Sequence, residues 1–219
     1  MITRSMTAFA VLSAAFLAMS AAVGLGGTTA TDLTVANAVT RDWNPTLGVV
    51  AKAFAVLGGI EVTSLIVLGI AVYLWRRDFR SEAWFLVAFG AVEVLETMYK
   101  QFVFHPGPGP NLGHGDGPSI TLLFEKSLPG NSFPSGHVVR TVFAYGMLAF
   151  VVRRLARPGS PWRAAAVPVA AIMILLMALD RVYLETHWES DVIGGLLLGG
   201  IGLAASVIWL DRPRVRASG

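Results

Sequence analysis

The chain of 219 residues contains no cysteine. That excludes a disulfide framework and any site built on thiolates, whether structural zinc or an iron–sulfur cluster. Charge is scarce as well: Asp, Glu, Lys and Arg make up 14% of the residues, against about 25% in an ordinary soluble domain. A water-soluble globule is therefore excluded. The small surplus of base, a net charge of +3 and a pI near 9.6, would suggest nucleic acid only if it were gathered on one solvated face. Instead the basic residues fall in short groups between apolar stretches, so the expected partner is a lipid bilayer and not a nucleic acid.

What the chain has in abundance is hydrocarbon, with 54% apolar residues and a mean hydropathy of +0.63. A membrane core of about 30 Å is crossed by roughly 20 apolar residues in a helix. The sequence divides into six such runs: Met6 to Gly27, then about 53–75, 82–104, 137–153, 163–184 and 191–210. The second carries Glu61, and the third carries Glu93, Glu96 and Lys100, so the third should face protein rather than lipid. The sixth is rich in glycine (Gly194, Gly195, Gly199, Gly200, Gly202), which permits close helix approach. The expected fold is an all-α integral membrane bundle of six transmembrane helices, forming one domain over residues 1–219 with no internal repeat.

Placing the N-terminus inside puts Arg4, the Arg76/Arg77/Arg80 group, the Arg153/Arg154/Arg157/Arg163 group and Arg212/Arg214/Arg216 on one side, a clear majority of the 17 basic residues. The positive-inside rule then predicts that both termini are cytoplasmic. The first run also resembles a secretory signal, with small residues from Thr28 to Ala30 after it. Its length exceeds the roughly 7–15 residues of a signal core, which favours a retained span. The loop over 28–46 is expected outside, half-amphipathic and on the membrane surface. A second outer loop, 105–134, is too dense in Pro and Gly for a regular element, and loops of that length tend to be functional.

This topology brings polar residues to one level. Lys100 ends the third span, Ser135-Gly136-His137 begin the fourth, Arg181 closes the fifth, and His187 and Asp191 open the sixth, all at the outer face. Donors, two imidazoles and a carboxylate at one depth describe an anion site with acid–base groups beside it. Pro134-Ser135-Gly136-His137 places a capping residue and a glycine at a helix start, where free N–H groups favour phosphate. Read alone, it is equally an ordinary capped helix. Arg140 shares a helical face with His137 and is costly inside a span unless it binds a ligand or pairs with Glu93 or Glu96. Glu96 and Lys100 are spaced for a favourable helical pair. His187 and Asp191, four apart, suit a carboxylate that fixes one ring nitrogen and frees the other as nucleophile or base. The bland alternative is an interfacial turn with His187 and Trp188 as surface anchors.

Lys100, then Pro134-Ser135-Gly136-His137, then Arg181 with five residues before His187 and three more before Asp191, resemble the motifs of the type 2 phosphatidic acid phosphatase family of lipid phosphate phosphatases. The resemblance covers roughly residues 80–205. It implies that His187 attacks phosphorus, that Asp191 orients its ring, and that His137 protonates the leaving oxygen and then activates water. Lys100, Ser135, Gly136 and Arg181 would hold the phosphoryl oxygens, with no metal and no cofactor. Such positioning and charge neutralisation is what phosphoryl transfer needs.

Two residues depart from the pattern. Gly107-Pro108 stand where the family usually has Arg-Pro, and Arg140 is the candidate replacement for the missing cation. Asp180 stands where the third motif usually has Ser and is expected to face a cation such as Arg140 or Lys126. His105, His114 and Asp116 lack fixed ligand spacing and are expected to be solvated loop residues. The expected activity is hydrolysis of a lipid phosphate or diphosphate (polyprenyl diphosphate, phosphatidate or phosphatidylglycerol phosphate) at the outer face of a cell membrane. One rival passes the phosphoryl group from the same histidine to a lipid or sugar acceptor. A rival of another class is a proton-coupled transporter with Glu61, Glu93 and Glu96 as relay.

Overall fold

The computed structural model describes residues 2–79, 83–108 and 131–211, with backbone alone for 2–4. Its helices are α1 (Ile2–Gly24), α2 (Thr29–Arg41), α3 (Pro45–Ala55), α4 (Ile60–Arg76), α5 (Phe85–Phe102), α6 (Gly136–Leu155), α7 (Pro161–Tyr183) and α8 (Glu189–Leu210). Arg80, His114, Asp116, Lys126 and Arg212/Arg214/Arg216 lie outside the described residues. The chain is an all-α multi-pass membrane protein. Four helical stretches, Ser5–Gly24, Pro45–Arg76, Pro161–Tyr183 and Glu189–Leu210, are long and apolar enough to cross a membrane. The helices α5 and α6, 18 and 20 residues long, cover the third and fourth expected runs but carry Glu93, Glu96 and Lys100, and Arg140, Arg153 and Arg154 respectively.

Two expectations are corrected. The second run is not one continuous helix. It breaks at a 3-10 turn over Val56–Gly58, and Gly59 is extended (φ −63°, ψ 156°). A Cβ on Gly58 would stand 2.7 Å from the Met177 side chain and 2.9 Å from the Thr141 hydroxyl, so the chain crosses α6 and α7 in close contact. The 28–46 segment is not a loop but α2 and the start of α3. Its helix is docked: Thr40 donates to Glu185, Trp43 stacks on Tyr183 at 4.8 Å between ring centroids, and Asp32 is buried.

The helix α6 is central, buried almost all round over its N-terminal half, with α4, α5, α7 and α8 packed on it. Its seam with α8 is set by glycine. A Cβ on Gly195 would lie 2.7 Å from the Ser135 carbonyl oxygen, and one on Gly199 would lie 2.6 Å from that of Val139. Further along, Gly202 faces Val92 and Phe143. Positions i, i+4 and i+7 form one helical stripe; the two backbones touch at Gly195 and Gly199, and side chains of α5 and α6 fill the space at Gly202, as small residues permit. Gly194 receives the ring of Phe133, which also stacks on Phe16 of α1 at 6.0 Å and fixes the chain just before α6.

At the opposite end Arg154 donates to the Leu210 carbonyl at 3.0 Å, closing α8, and Arg163 donates to Ala156 at 3.3 Å. Trp75, Trp84, Trp162 and Trp209 are exposed at this Arg-rich end, the arrangement of an aromatic belt at a membrane–water boundary.

The α6–α8 contact is testable. Gly199→Ala is expected to cost about 1–3 kcal/mol through overpacking, read as a lower thermal unfolding midpoint in detergent. Gly69→Ala, whose methyl group meets nothing within 4 Å, should leave the midpoint unchanged or raise it. Equal shifts in both variants would show that the seam is not tightly constrained.

Candidate active site

The turn into α6 is tied to the start of α8 by one backbone bond: Ser135 N–H donates to the Asp191 carbonyl at 3.0 Å. Ser135 occupies the N-cap position, yet its hydroxyl makes no capping bond. Its Oγ is fully buried and has no hydrogen-bond partner among the described residues. The capping role suggested by sequence is thus unfilled, and a polar atom stands ready for a ligand, since buried polar groups are nearly always paired. Beside it Gly136 has no room for a side chain, because a Cβ would meet Glu96 at 2.7 Å and both terminal nitrogens of Arg140 at 3.0 Å.

Those two side chains belong to an ion-paired layer beneath the turn. Lys100 pairs with Glu96 at 2.6 Å, as their helical spacing predicted, and Arg140 pairs with Glu93 at 3.1 Å. The ion pair that the sequence offered Arg140 is formed, with Glu93 as its partner. Pairing offsets the cost of charge at this depth. Asp180 pairs with its chain neighbour Arg181, which donates to it from Nε at 3.0 Å and from Nη2. The expectation was a cation such as Arg140 or Lys126. Asp180 does meet a cation in Arg181, its neighbour on the last turn of α7, while Lys126 lies outside the described residues.

The chain then reverses. Glu185 takes a left-handed conformation (φ 51°), sparsely populated for a residue with a side chain. The turn is held by Thr186 Oγ1 and His187 N–H, both donating to the Arg181 carbonyl at 3.4 Å. His187 Nδ1 lies 3.3 Å from Asp191 Oδ2, so its Nε2 is the nitrogen left for chemistry. The pair forms as expected, though not by sharing a helical face. The helix α8 begins at Glu189, and His187 precedes it. Asp191 is the third residue of the helix and reaches back past the cap, where Oδ2 also accepts the Trp188 N–H at 2.9 Å. A carboxylate at that position is a common way to satisfy a free donor at a helix start.

His137 is buried at the start of α6, within electrostatic reach of Arg181, Arg140, His187 and Lys100. Lys100, Ser135, His137, Arg140, Arg181, His187 and Asp191 therefore lie at one end of the bundle.

Sequence reasoning missed two residues of this cluster. His105, expected to be a solvated loop residue, is buried, with Nε2 3.2 Å from Ser190 Oγ and 3.4 Å from Asp191 Oδ1. Asp32 accepts from Ser190 N at 2.9 Å and from Ser190 Oγ at 2.8 Å. It thus satisfies a second free N–H of α8 from a helix 158 residues away in sequence. The one sequence signal was a lone acid on the first turn of an apolar, half-amphipathic segment.

Removing that acceptor should be measurable. Asp32→Ala is expected to destabilise the protein by about 1–2 kcal/mol, the usual cost of losing a helix cap, seen as a lower unfolding midpoint in detergent. An unchanged midpoint would show that water replaces the cap at no cost.

Comparisons with known proteins agree with this geometry. Residues 81–214 match the family model described as the PAP2 superfamily. The chain is 24% identical over 186 residues to phosphatidylglycerophosphatase B of Bacillus subtilis (strain 168), covering 84% of this chain and 85% of the relative. It is 28% identical over 152 residues to an Escherichia coli (strain K12) protein provisionally named undecaprenyl-diphosphatase YbjG, covering 68% of each. The fold is similar to the crystal structure of a transmembrane PAP2 type phosphatidylglycerolphosphate phosphatase from Bacillus subtilis, with a TM-score of 0.79 at 20% identity, covering 95% of this chain and 98% of that one. The chain belongs to the PAP2 superfamily of lipid phosphate phosphatases, hydrolases that work without a metal ion.

Proposed function

We propose that this protein hydrolyses a membrane lipid phosphate or diphosphate through a phosphohistidine on His187, at the extracytoplasmic face of a six-span bundle with both termini inside. The observation that carries this reading is the His187–Asp191 pair, with Nδ1 held by the carboxylate at 3.3 Å, beside a buried His137 and the unpartnered Ser135 hydroxyl. In the first step His187 Nε2 forms a bond to phosphorus as the phosphorus–oxygen bond to the lipid breaks, and the leaving oxygen takes a proton from His137. In the second, His137 accepts a proton from water, the water oxygen bonds to phosphorus, and the nitrogen–phosphorus bond breaks to release orthophosphate. Asp191 stabilises the charge that grows on the His187 ring. Lys100, Arg181, Arg140, Ser135 Oγ and the Gly136 N–H hold the non-bridging oxygens, where preorganised charge and donors contribute most.

A lipid leaving group is supported by the surface beside the site. An apolar groove of about 660 Å³ runs between Val35, Val39, Val50, Phe54 and Leu179 and reaches Asp180, the partner of Arg181. An acyl or isoprenoid tail can lie there while its head meets the cations. Polyprenyl diphosphate, phosphatidate and phosphatidylglycerol phosphate all suit this layout. The transporter reading is less well supported, because Glu93 and Glu96 are engaged with Arg140 and Lys100 rather than lined up as a proton path.

The test is release of orthophosphate from these three lipids by purified protein in detergent with EDTA and no added acceptor. Wild type is expected to release it and His187→Ala to release none. Release that requires an acceptor would replace hydrolysis by transfer. Arg140→Ala should lower turnover about as severely as Lys100→Ala, by roughly a hundredfold or more for loss of one charge-stabilising donor. A normal rate in Arg140→Ala would confine that residue to its pairing with Glu93.

A further inference from the structure

Asp191 is completely buried, and its two oxygens are treated unequally. Oδ2 receives His187 and the Trp188 N–H. Oδ1 is buried with no hydrogen bond of good geometry among the described residues, and His105 Nε2, 3.4 Å away, faces it. A buried carboxylate with one oxygen unsatisfied is costly, so the group poised against Oδ1 governs how firmly Asp191 is held.

The tautomer of His105 follows from its surroundings. Nε2 faces three oxygens: Ser190 Oγ at 3.2 Å, Asp191 Oδ1 at 3.4 Å and Asp32 Oδ2 at 3.9 Å. The Ser190 hydroxyl spends its proton on Asp32, so it presents only lone pairs to the ring. With acceptors on every side, Nε2 must carry a proton. The ring is also anchored through its backbone. His105 N–H donates to Asn131 Oδ1 at 3.0 Å, and its carbonyl accepts from Ser132 N at 2.9 Å and Ser132 Oγ at 3.0 Å. The next carbonyl, that of Pro106, accepts from Trp188 Nε1 at 2.8 Å. Trp188 is the residue that separates His187 from α8.

We infer that His105 is a positioning residue for the catalytic pair: its Nε2–H, set between Asp32 and Asp191, steadies the Asp191 carboxylate in the orientation that holds His187 Nδ1. This inference rests on the reading of His187 as nucleophile. It assigns a task to the segment after Lys100 in which Gly107 stands where the family's motif usually has an arginine. Here that segment delivers an imidazole to the far side of the orienting carboxylate. His105 does not touch the substrate. It acts through Asp191, in the way an outer hydrogen-bond partner orients the ligand it supports.

The experiment compares wild type, His105→Phe, His105→Gln, His105→Asn and His187→Ala in detergent, with short-chain phosphatidate and a short polyprenyl diphosphate as probes. It reads kcat, KM and, by rapid quench, the formation of acid-labile phosphohistidine. Phe keeps the ring volume without the donor. Gln can place an N–H near the Nε2 position, whereas the shorter Asn cannot. His105→Phe is expected to lower kcat and the rate of phosphohistidine formation about ten- to a hundredfold, the usual effect of losing an outer partner, with KM nearly unchanged. Gln should restore most of the rate and Asn should not. If His105→Phe does not fold, the Gln–Asn contrast alone decides, and equal rates in those two overturn the inference. A wild-type rate in His105→Phe also overturns it, provided His187→Ala is inactive. Undiminished turnover in His187→Ala, or none in wild type, overturns the phosphohistidine reading itself.

Discussion

The buried carboxylate of Asp191 is the constraint around which the polar end of this bundle is arranged. A fully desolvated negative charge is tolerated only where donors surround it. Here His187 and the Trp188 N–H, which precede it in the chain, meet one oxygen, and the ring of His105, from beyond the end of α5, stands 3.4 Å from the other. The same residue also accepts the Ser135 N–H on its backbone carbonyl. One position therefore fixes the orientation of the His187 ring, starts α8 and docks the turn that leads into α6. Moving it disturbs all three.

That cluster is held at one depth by packing that has no polar content. Gly195 and Gly199 let α8 lie directly on the backbone of α6, and in a membrane such contact relies on close van der Waals fit rather than on expulsion of water. The wedge of Phe133 between Phe16 and Gly194 then sets where the Ser135–His137 turn begins. Polar geometry at the site is thus a consequence of apolar geometry beneath it. The layer of Lys100–Glu96 and Arg140–Glu93 pairs lies between the two, and it brings cations to the site while cancelling part of their cost in the membrane.

The docked helix α2 shows how a peripheral segment becomes part of this end. It lies outside the family match, which begins at residue 81, yet it supplies Asp32 to the first turn of α8 and Thr40 to Glu185. Glu185 is the residue in left-handed conformation at the reversal between Arg181 and His187. The bond from Thr40 and the cap from Asp32 thus brace both sides of the segment that bears His187.

The sequence alone was enough to determine the solvent of this protein, the approximate ends of its long helices, its motif residues and their convergence at one end. Each of these follows from local quantities: run length against membrane thickness, the side on which arginines fall, and fixed spacing along one stretch of chain. The Lys100–Glu96 pair was legible for the same reason, one turn of helix. What only the tertiary structure decided are the pairings between distant elements. Arg140 turned to Glu93 across 47 positions, Ser190 received His105 across 85 and Asp32 across 158, and the second run broke where Gly58 meets Met177 and Thr141. No periodicity in the chain encodes such contacts. They arise when helices pack closely enough that each buried charge must take whatever donor lies opposite.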